Sequence, residues 1–156
     1  MIHLVDEDIF GLDVEAIVNP INIEGIMGKG LALHFKTQYP DMYKQYLTLC
    51  AQDKLNIGKL FVYTKSEDYK YIINFPTKKR WRAPSKLSYI DEGLYKLAML
   101  IANRQILSIA IPALGCGCGQ LPWEEVYPCI VYHLSPLMAC NIFVCLPQYL
   151  QTEKLL

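Results

Sequence analysis

The feature that most limits what this chain can fold into is a glycine-studded loop set directly behind a short apolar run. Residues 107–111 are apolar apart from Ser108, and Pro112 follows; the run reads as a buried strand that must end at Pro112, since proline cannot donate to a ladder. Behind it come Gly115, Gly117 and Gly119, three glycines at alternate positions. They strip side chains from one backbone segment, so that main-chain N–H groups can approach a ligand and point towards it together. Residues 123–126 (WEEV) then read as a helix start, whose end of the helix dipole favours an anion. Strand, glycine loop, helix is the arrangement that holds a phosphate or diphosphate. A second cluster of the same kind lies near the N-terminus: the apolar residues 16–18, then Asn19-Pro20-Ile21-Asn22, then Gly25, Gly28 and Gly30 opening a helix.

The remaining elements alternate. Residues 2–5 read as a strand ending in the acidic run 6–8, and Ile9-Phe10-Gly11 turns the chain. Leu31, Ala32, Phe35 and Tyr39 fall at helical spacing up to Pro40, and Asp41 reads as the N-cap of another helix with Met42, Tyr46, Leu49 and Cys50 on its inner face. Residues 60–63 and 69–75 read as two strands joined by the polar turn 64–68, a local antiparallel hairpin. The second strand leads into a loop, residues 77–82 (TKKRWR), where Lys78, Lys79, Arg80, Arg82 and the nearby Lys86 surround Trp81. Ser85 reads as the cap of a helix over 86–103 with an apolar stripe at Leu87, Ile90, Leu94, Leu97 and Ile101. Val126, Ile130, Leu134 and Leu137 mark a further helix with Pro128 in or near its first turn, residues 142–145 a last strand, and residues from 147 a tail. This alternation predicts a three-layer α/β/α fold around a mixed, mostly parallel sheet, spanning 1–156 as one domain. Ligands of such folds sit beyond the carboxyl ends of parallel strands. Both glycine clusters, residues 19–22 and the loop 77–82 all follow strand ends.

Composition narrows the class. With 53% hydrophobic and 19% charged residues, 156 residues are enough to bury a sizeable core. A formal net charge of zero supplies no global field towards duplex DNA or an anionic membrane, which leaves local basic patches as the route to nucleic acid. The first residues show no basic stretch followed by an apolar one, and no segment has the apolar length of a membrane span, so a cytoplasmic protein without membrane contact is expected. Six cysteines without a Cys-x-x-Cys pair read as reduced thiols. Cys116 and Cys118 have no second ligand pair at metal-site spacing, and no metal or redox cofactor is expected.

Taken together, Asp8-Ile9-Phe10, Ile17-Val18-Asn19-Pro20-x-Asn22, Met27-Gly28-Lys29-Gly30-Leu31-Ala32 and Leu114-Gly115-Cys116-Gly117-x-Gly119 resemble the macrodomain family of ADP-ribose binders. The segment Ile73-Asn74-Phe75-Pro76-Thr77-Lys78, with Trp81-Arg82 and Ser85-Lys86-Leu87, is similar to the DarG branch, the DNA ADP-ribosyl glycohydrolase antitoxins that remove ADP-ribose from thymidine in DNA. The likeness runs from about Ile2 to Cys145. It implies that Asp8, with the Ile9 backbone, holds the adenine amine and that Asn22 orients the distal ribose. Gly28, Lys29, Gly30 and Leu31 would lie along the distal ribose and phosphates. Leu114, Gly115, Cys116, Gly117, Cys118 and Gly119 would wrap the diphosphate through backbone N–H groups. Thr77 would contact the ligand just before the catalytic lysine, Lys78, which works with Asn22. Asn19 reads as structural, satisfying loop backbone groups.

The chemistry at Lys78 has two forms that the residues leave open. Cleavage at the anomeric carbon builds negative charge on the departing base, to which a lysine can donate, or a neutral lysine can attack that carbon. The basic loop around Trp81 reads either as a landing strip for ADP-ribosylated single-stranded DNA or as a solvated turn. Two departures bear on the branch: Glu7-Asp8 stands where Gly-Asp is usual, and Gly119 stands where hydrolases of acidic protein side chains carry aspartate. The resemblance implies a monomer and, as a partner, a DNA ADP-ribosyltransferase toxin. Hydrolysis of ADP-ribose esters, on Glu/Asp of proteins or on acyl groups, and non-catalytic reading of ADP-ribose are the alternatives.

Overall fold

The computed structural model describes residues 1–151. The strands are β1 (Ile2–Val5), β2 (Ala16–Asn22), β3 (Phe61–Tyr63), β4 (Tyr71–Lys78), β5 (Ser108–Ile111) and β6 (Asn141–Cys145). They form one sheet in the order β1-β6-β5-β2-β4-β3. Every pairing is parallel except β3 with β4, so the sheet is mixed and its one antiparallel strand lies at an edge. The helices are α1 (Gly30–Gln38), α2 (Pro40–Ala51), α3 (Leu87–Asn103) and α4 (Trp123–Leu134).

Alternation along the strands divides the core in two. Ala16 and Val18 of β2, Ile73 and Phe75 of β4, and Ile109 and Ile111 of β5 face α3 and α4, whose Ile90, Leu94, Leu97, Val126 and Ile130 close that layer. Ile17, Ile21, Ile72 and Ala110 face the other way, onto Phe35 of α1 and Met42 and Tyr46 of α2. The result is a three-layer α/β/α sandwich. Gly93 is what lets α3 seat closely on β4, for a Cβ there would come within 2.2 Å of the Phe75 ring.

The topology creates a crevice at one point. After β2 the chain turns to the α1/α2 face, and after β5, its neighbour, it turns to the α3/α4 face. The two loops diverge from adjacent parallel strands, which is the switch point where ligands bind in open α/β sheets.

Several local expectations differ. Asp41 is not a cap: α2 opens on Tyr39 with Pro40 in its first turn, where its missing N–H costs nothing. Ser85 is not a cap either, since Lys86 holds that position without a side-chain bond. β3 begins at Phe61 and β4 at Tyr71, but β4 runs on to Lys78 because Pro76 pairs with Ile21 and Lys78 with Asn22, the register shift between Ile21 and Asn22 leaving Thr77 bulged between them. Pro128 sits in the second turn of α4, and Leu137 lies past that helix. The tail holds a short 3-10 turn, Gln148–Leu150, and its residues 152–156 lie outside those described. Among the described residues no helix is long and apolar enough to cross a membrane.

Candidate active site

Three loops leave the carboxyl edge of the sheet side by side, after β2, β4 and β5, and they are tied to one another. Lys78, the last residue of β4, pairs with Asn22, the last of β2. This lysine is only 8% exposed, and its ammonium donates to the Trp81 carbonyl at 2.7 Å, folding the chain into a tight turn. Thr77 donates its hydroxyl to the Ile21 carbonyl at 3.3 Å, closing the same two strand ends. On the β2 side, Glu24 accepts the Trp81 N–H at 2.9 Å. On the β5 side, the Ser85 N–H donates to the Gly119 carbonyl at 2.9 Å, and the buried Ser85 hydroxyl donates to the Thr77 carbonyl. The turn carrying Lys78 is thus held between the two glycine loops.

The β5 loop folds on itself. Leu121 N–H donates to the Gly115 carbonyl at 2.8 Å and Gln120 N–H to the Gly117 carbonyl at 3.1 Å. Gly115 has φ +74°, in the left-handed region, and a Cβ there would meet Leu121 at 2.7 Å. Among the described residues the amides of Gly115, Gly117, Cys118 and Gly119 donate to nothing, and of these Gly117 and Cys118 are exposed; Cys116, expected to join them, spends its N–H on the Ala113 carbonyl at 3.1 Å. Cys116 is buried, its thiol donating to the Leu114 carbonyl, and burial pushes that thiol up to about 11. Cys118 is exposed. A thiol held in its neutral form is a poor nucleophile, so Cys116 serves the loop as packing.

Asn22 is engaged through its oxygen and one of its two amide N–H groups. Its Oδ1 accepts from Glu24 N at 3.0 Å and the Tyr46 hydroxyl at 2.9 Å, and its Nδ2 donates to the Ile26 carbonyl at 2.6 Å. The side chain therefore shapes the loop that carries Gly28, Lys29 and Gly30, all exposed, into α1, where Leu31 is half-buried. Asp8 and Ile9 follow β1: the Asp8 carboxylate accepts from Phe10 N at 3.0 Å, Ile9 is buried, and Phe10 stacks on His34 of α1 with ring centroids 4.2 Å apart. That stacking seats the Asp8 turn against the helix opened by the first glycine cluster. Asn19 is structural in another way than expected. It donates to Asn74 Oδ1 at 2.9 Å, across the sheet and not to loop backbone, and its own Oδ1 has no partner among the described residues.

Around the turn the basic side chains lie on aromatic faces. The Arg82 guanidinium stands 4.5 Å from the Trp81 ring centroid, and Lys79 and Lys86 stand 5.6 and 5.8 Å from that of Tyr89. Glu24 and Tyr46, which help hold the loops together, escape sequence reasoning, reading as an ordinary polar and an ordinary helical residue; Ser85 stands in the quoted motif but reads as a cap, and only the folded chain shows the partners of all three.

Comparison with known proteins bears on the family and the fold. The Macro domain family model matches residues 18–130. The chain is 49% identical over 128 residues to a protein of Mycobacterium tuberculosis named DNA ADP-ribosyl glycohydrolase, covering 81% of this chain and 36% of that one. It is 32% identical over 153 residues to a Thermosipho africanus DNA ADP-ribosyl transferase–glycohydrolase fusion protein, covering 87% of this chain and 39% of that one. The chain thus spans well under half the length of these curated relatives. Among solved structures, the macrodomain of M. tuberculosis DarG superposes with a TM-score of 0.91 at 45% identity over 95% of this chain and 99% of that one. T. africanus DarTG in complex with ADP-ribose superposes with a TM-score of 0.85 at 30% identity over 98% of this chain and 45% of that one. By the family-model match and by identity and superposition over most of its length, the chain belongs to the macrodomain family and is similar to DarG macrodomains.

Proposed function

We propose that this macrodomain binds ADP-ribose in the β2/β5 crevice and hydrolyses its link to a base of single-stranded DNA. The observation that carries the reading is the position of Lys78. A nearly buried ammonium ends β4 between the two glycine loops, with one donor on the Trp81 carbonyl and two left for a ligand. In this reading the unbonded amides of Gly115, Gly117, Cys118 and Gly119 hold the diphosphate. Asn22 shapes the loop against the distal ribose, and the Asp8 turn meets the adenine. Lys78 then stands beside the anomeric carbon. As an ammonium it donates to the departing base while water takes the sugar.

Trp81 and Arg82 lie on the outer side of the same turn and would receive the DNA strand beyond the modified base, by stacking and phosphate contact. The likeness to DarG macrodomains and to a transferase–glycohydrolase fusion supports DNA as substrate and a DNA ADP-ribosyltransferase as partner. Six free thiols are compatible with the reducing cytoplasm.

Side-by-side turnover of ADP-ribosylated single-stranded DNA and a Glu-linked ADP-ribosylated protein tests the reading. DNA should be cleaved, and Lys78→Ala should lower that rate by about a hundredfold or more while retaining ADP-ribose binding. Preferential cleavage of the protein ester would overturn the DNA assignment, and no turnover of either by the wild type would leave a reader of ADP-ribose.

A further inference from the structure

The helices behind the crevice carry a second cluster of chemically active side chains. Cys129 and His133 are four residues apart on α4 and so share one face of it, with Asp91 of α3 opposite. His133 Nε2 lies 2.7 Å from Asp91 Oδ1, and Cys129 Sγ lies 3.6 Å from the same oxygen. The three donor atoms all lie within 4.8 Å of one another. Asp91 is exposed, which gives an ion a path from solvent, while the imidazole is largely covered.

We propose that Asp91, Cys129 and His133 bind a divalent transition-metal ion of the zinc class, bridging α3 and α4. Zinc holds nitrogen, oxygen and sulfur donors at about 2.0–2.3 Å in a tetrahedron, which puts the donors about 3.3–3.6 Å apart. The sulfur–oxygen pair already has that spacing, and the histidine–carboxylate pair reaches it by opening about 0.6 Å. On binding, the Cys129 thiol gives its proton to solvent and its sulfur forms the metal bond. His133 gives its Nε2 proton to solvent and takes one at Nδ1, so that Nε2 exchanges its hydrogen bond to Asp91 for the metal bond, and water takes the fourth place. A thiolate beside an imidazole selects zinc, cobalt or nickel over magnesium and calcium. The spacing of the cysteines alone gave no hint of the site, because Asp91 stands 38 residues before Cys129. The ion would clamp the two helices that begin immediately after the Lys78 turn and the glycine loop, a structural role outside the reaction.

Cobalt titration of the full chain tests the proposal. Wild type should develop one saturable thiolate-to-cobalt charge-transfer band in the near ultraviolet, displaced by zinc and untouched by magnesium. Cys129→Ser should abolish the band, Asp91→Asn should weaken binding, and Cys50→Ser should leave the band unchanged. Alkylation of the wild type, read by mass spectrometry at Cys129, gives a test free of folding defects. Its rate should fall by about a hundredfold at zinc a hundred times its dissociation constant, with Cys118 unaffected. Absence of the band in wild type, its persistence in Cys129→Ser, or unchanged alkylation of Cys129 in zinc would overturn the site.

Discussion

Gly117→Ala separates what the β5 loop does for the fold from what it does for a ligand. Gly117 is exposed, lies outside the left-handed region, and a Cβ built on it would have nothing within 4 Å. The folded chain therefore accepts the methyl without strain. Alanine also narrows the unfolded ensemble, which stabilises a protein by about 0.4–1 kcal/mol at a compatible site. For a chain of this size that raises the melting midpoint by about 1–4 °C. The ligand side behaves oppositely. If the open amides of the loop hold the diphosphate, the methyl stands where the phosphate oxygens approach and disrupts at least one charge-assisted hydrogen bond. Such a bond is worth about 1.5–3 kcal/mol, or roughly 10–150-fold in dissociation constant. Calorimetric titration with ADP-ribose and thermal unfolding followed by circular dichroism give the two numbers independently. A stabilised protein with wild-type affinity would refute the cradle, and a drop of several degrees in the midpoint would refute the loop geometry.

Gly119→Ala should do the reverse, since its Cβ would lie 2.5 Å from the Gly115 carbonyl oxygen, a backbone atom that cannot swing aside; a loss of about 1–3 kcal/mol of stability is expected in denaturant titration. Glu24→Ala should free the Trp81 turn at a cost below about 1.5 kcal/mol, visible as stronger iodide quenching of Trp81 fluorescence in a Trp123→Phe background; unchanged quenching would show that the contact holds nothing. Asp91→Asn tests the helix-bridging hydrogen bond with chelator present. The His133 ring beside Asp91 holds its carboxyl below the usual range, so the contribution is present above the ordinary carboxylate pKa and lost as pH falls through the lowered one. The stability gap between wild type and Asp91→Asn should therefore be under about 1 kcal/mol at neutral pH, given the exposure of Asp91, and should close in acid.

The sheet and its switch point were legible because they depend on repeated local signals. Apolar runs ending in proline or polar residues mark the strands, and helical stripes such as Ile90, Leu94, Leu97 and Ile101 mark the layers; all four are buried as the spacing requires. What was not legible depends on pairs distant in the chain. β4 reads as ending at Phe75 because Pro76 breaks the local pattern, yet Pro76 pairs with Ile21 and the strand continues to Lys78. Ser85 and Asp41 precede helical patterns as caps do, but a serine whose hydroxyl can reach a buried carbonyl gains more there than at an exposed helix end. Asn19 finds Asn74 across 55 residues, a pairing that no window of sequence contains.

The same long-range contacts explain how a nearly buried lysine is kept in register with a loop from another strand. Ser85 bonds the backbone of Thr77, the residue before Lys78, and the carbonyl of Gly119, the last glycine of the β5 loop. Its oxygen also lies 3.3 Å from where a Cβ on Gly115 would sit, so the loop packs on it only because residue 115 has no side chain. One buried hydroxymethyl group thus sets the distance between amine and amides. Phe75, seated on Gly93, fixes the height at which α3 leaves that serine. A shift of either contact would move the Lys78 turn relative to the glycine loop without touching a residue of the crevice itself. If the loop amides hold an anion and Lys78 faces it, a small polar residue at 85 and glycine at 93 and 115 are what the packing asks for to keep that charge against that site.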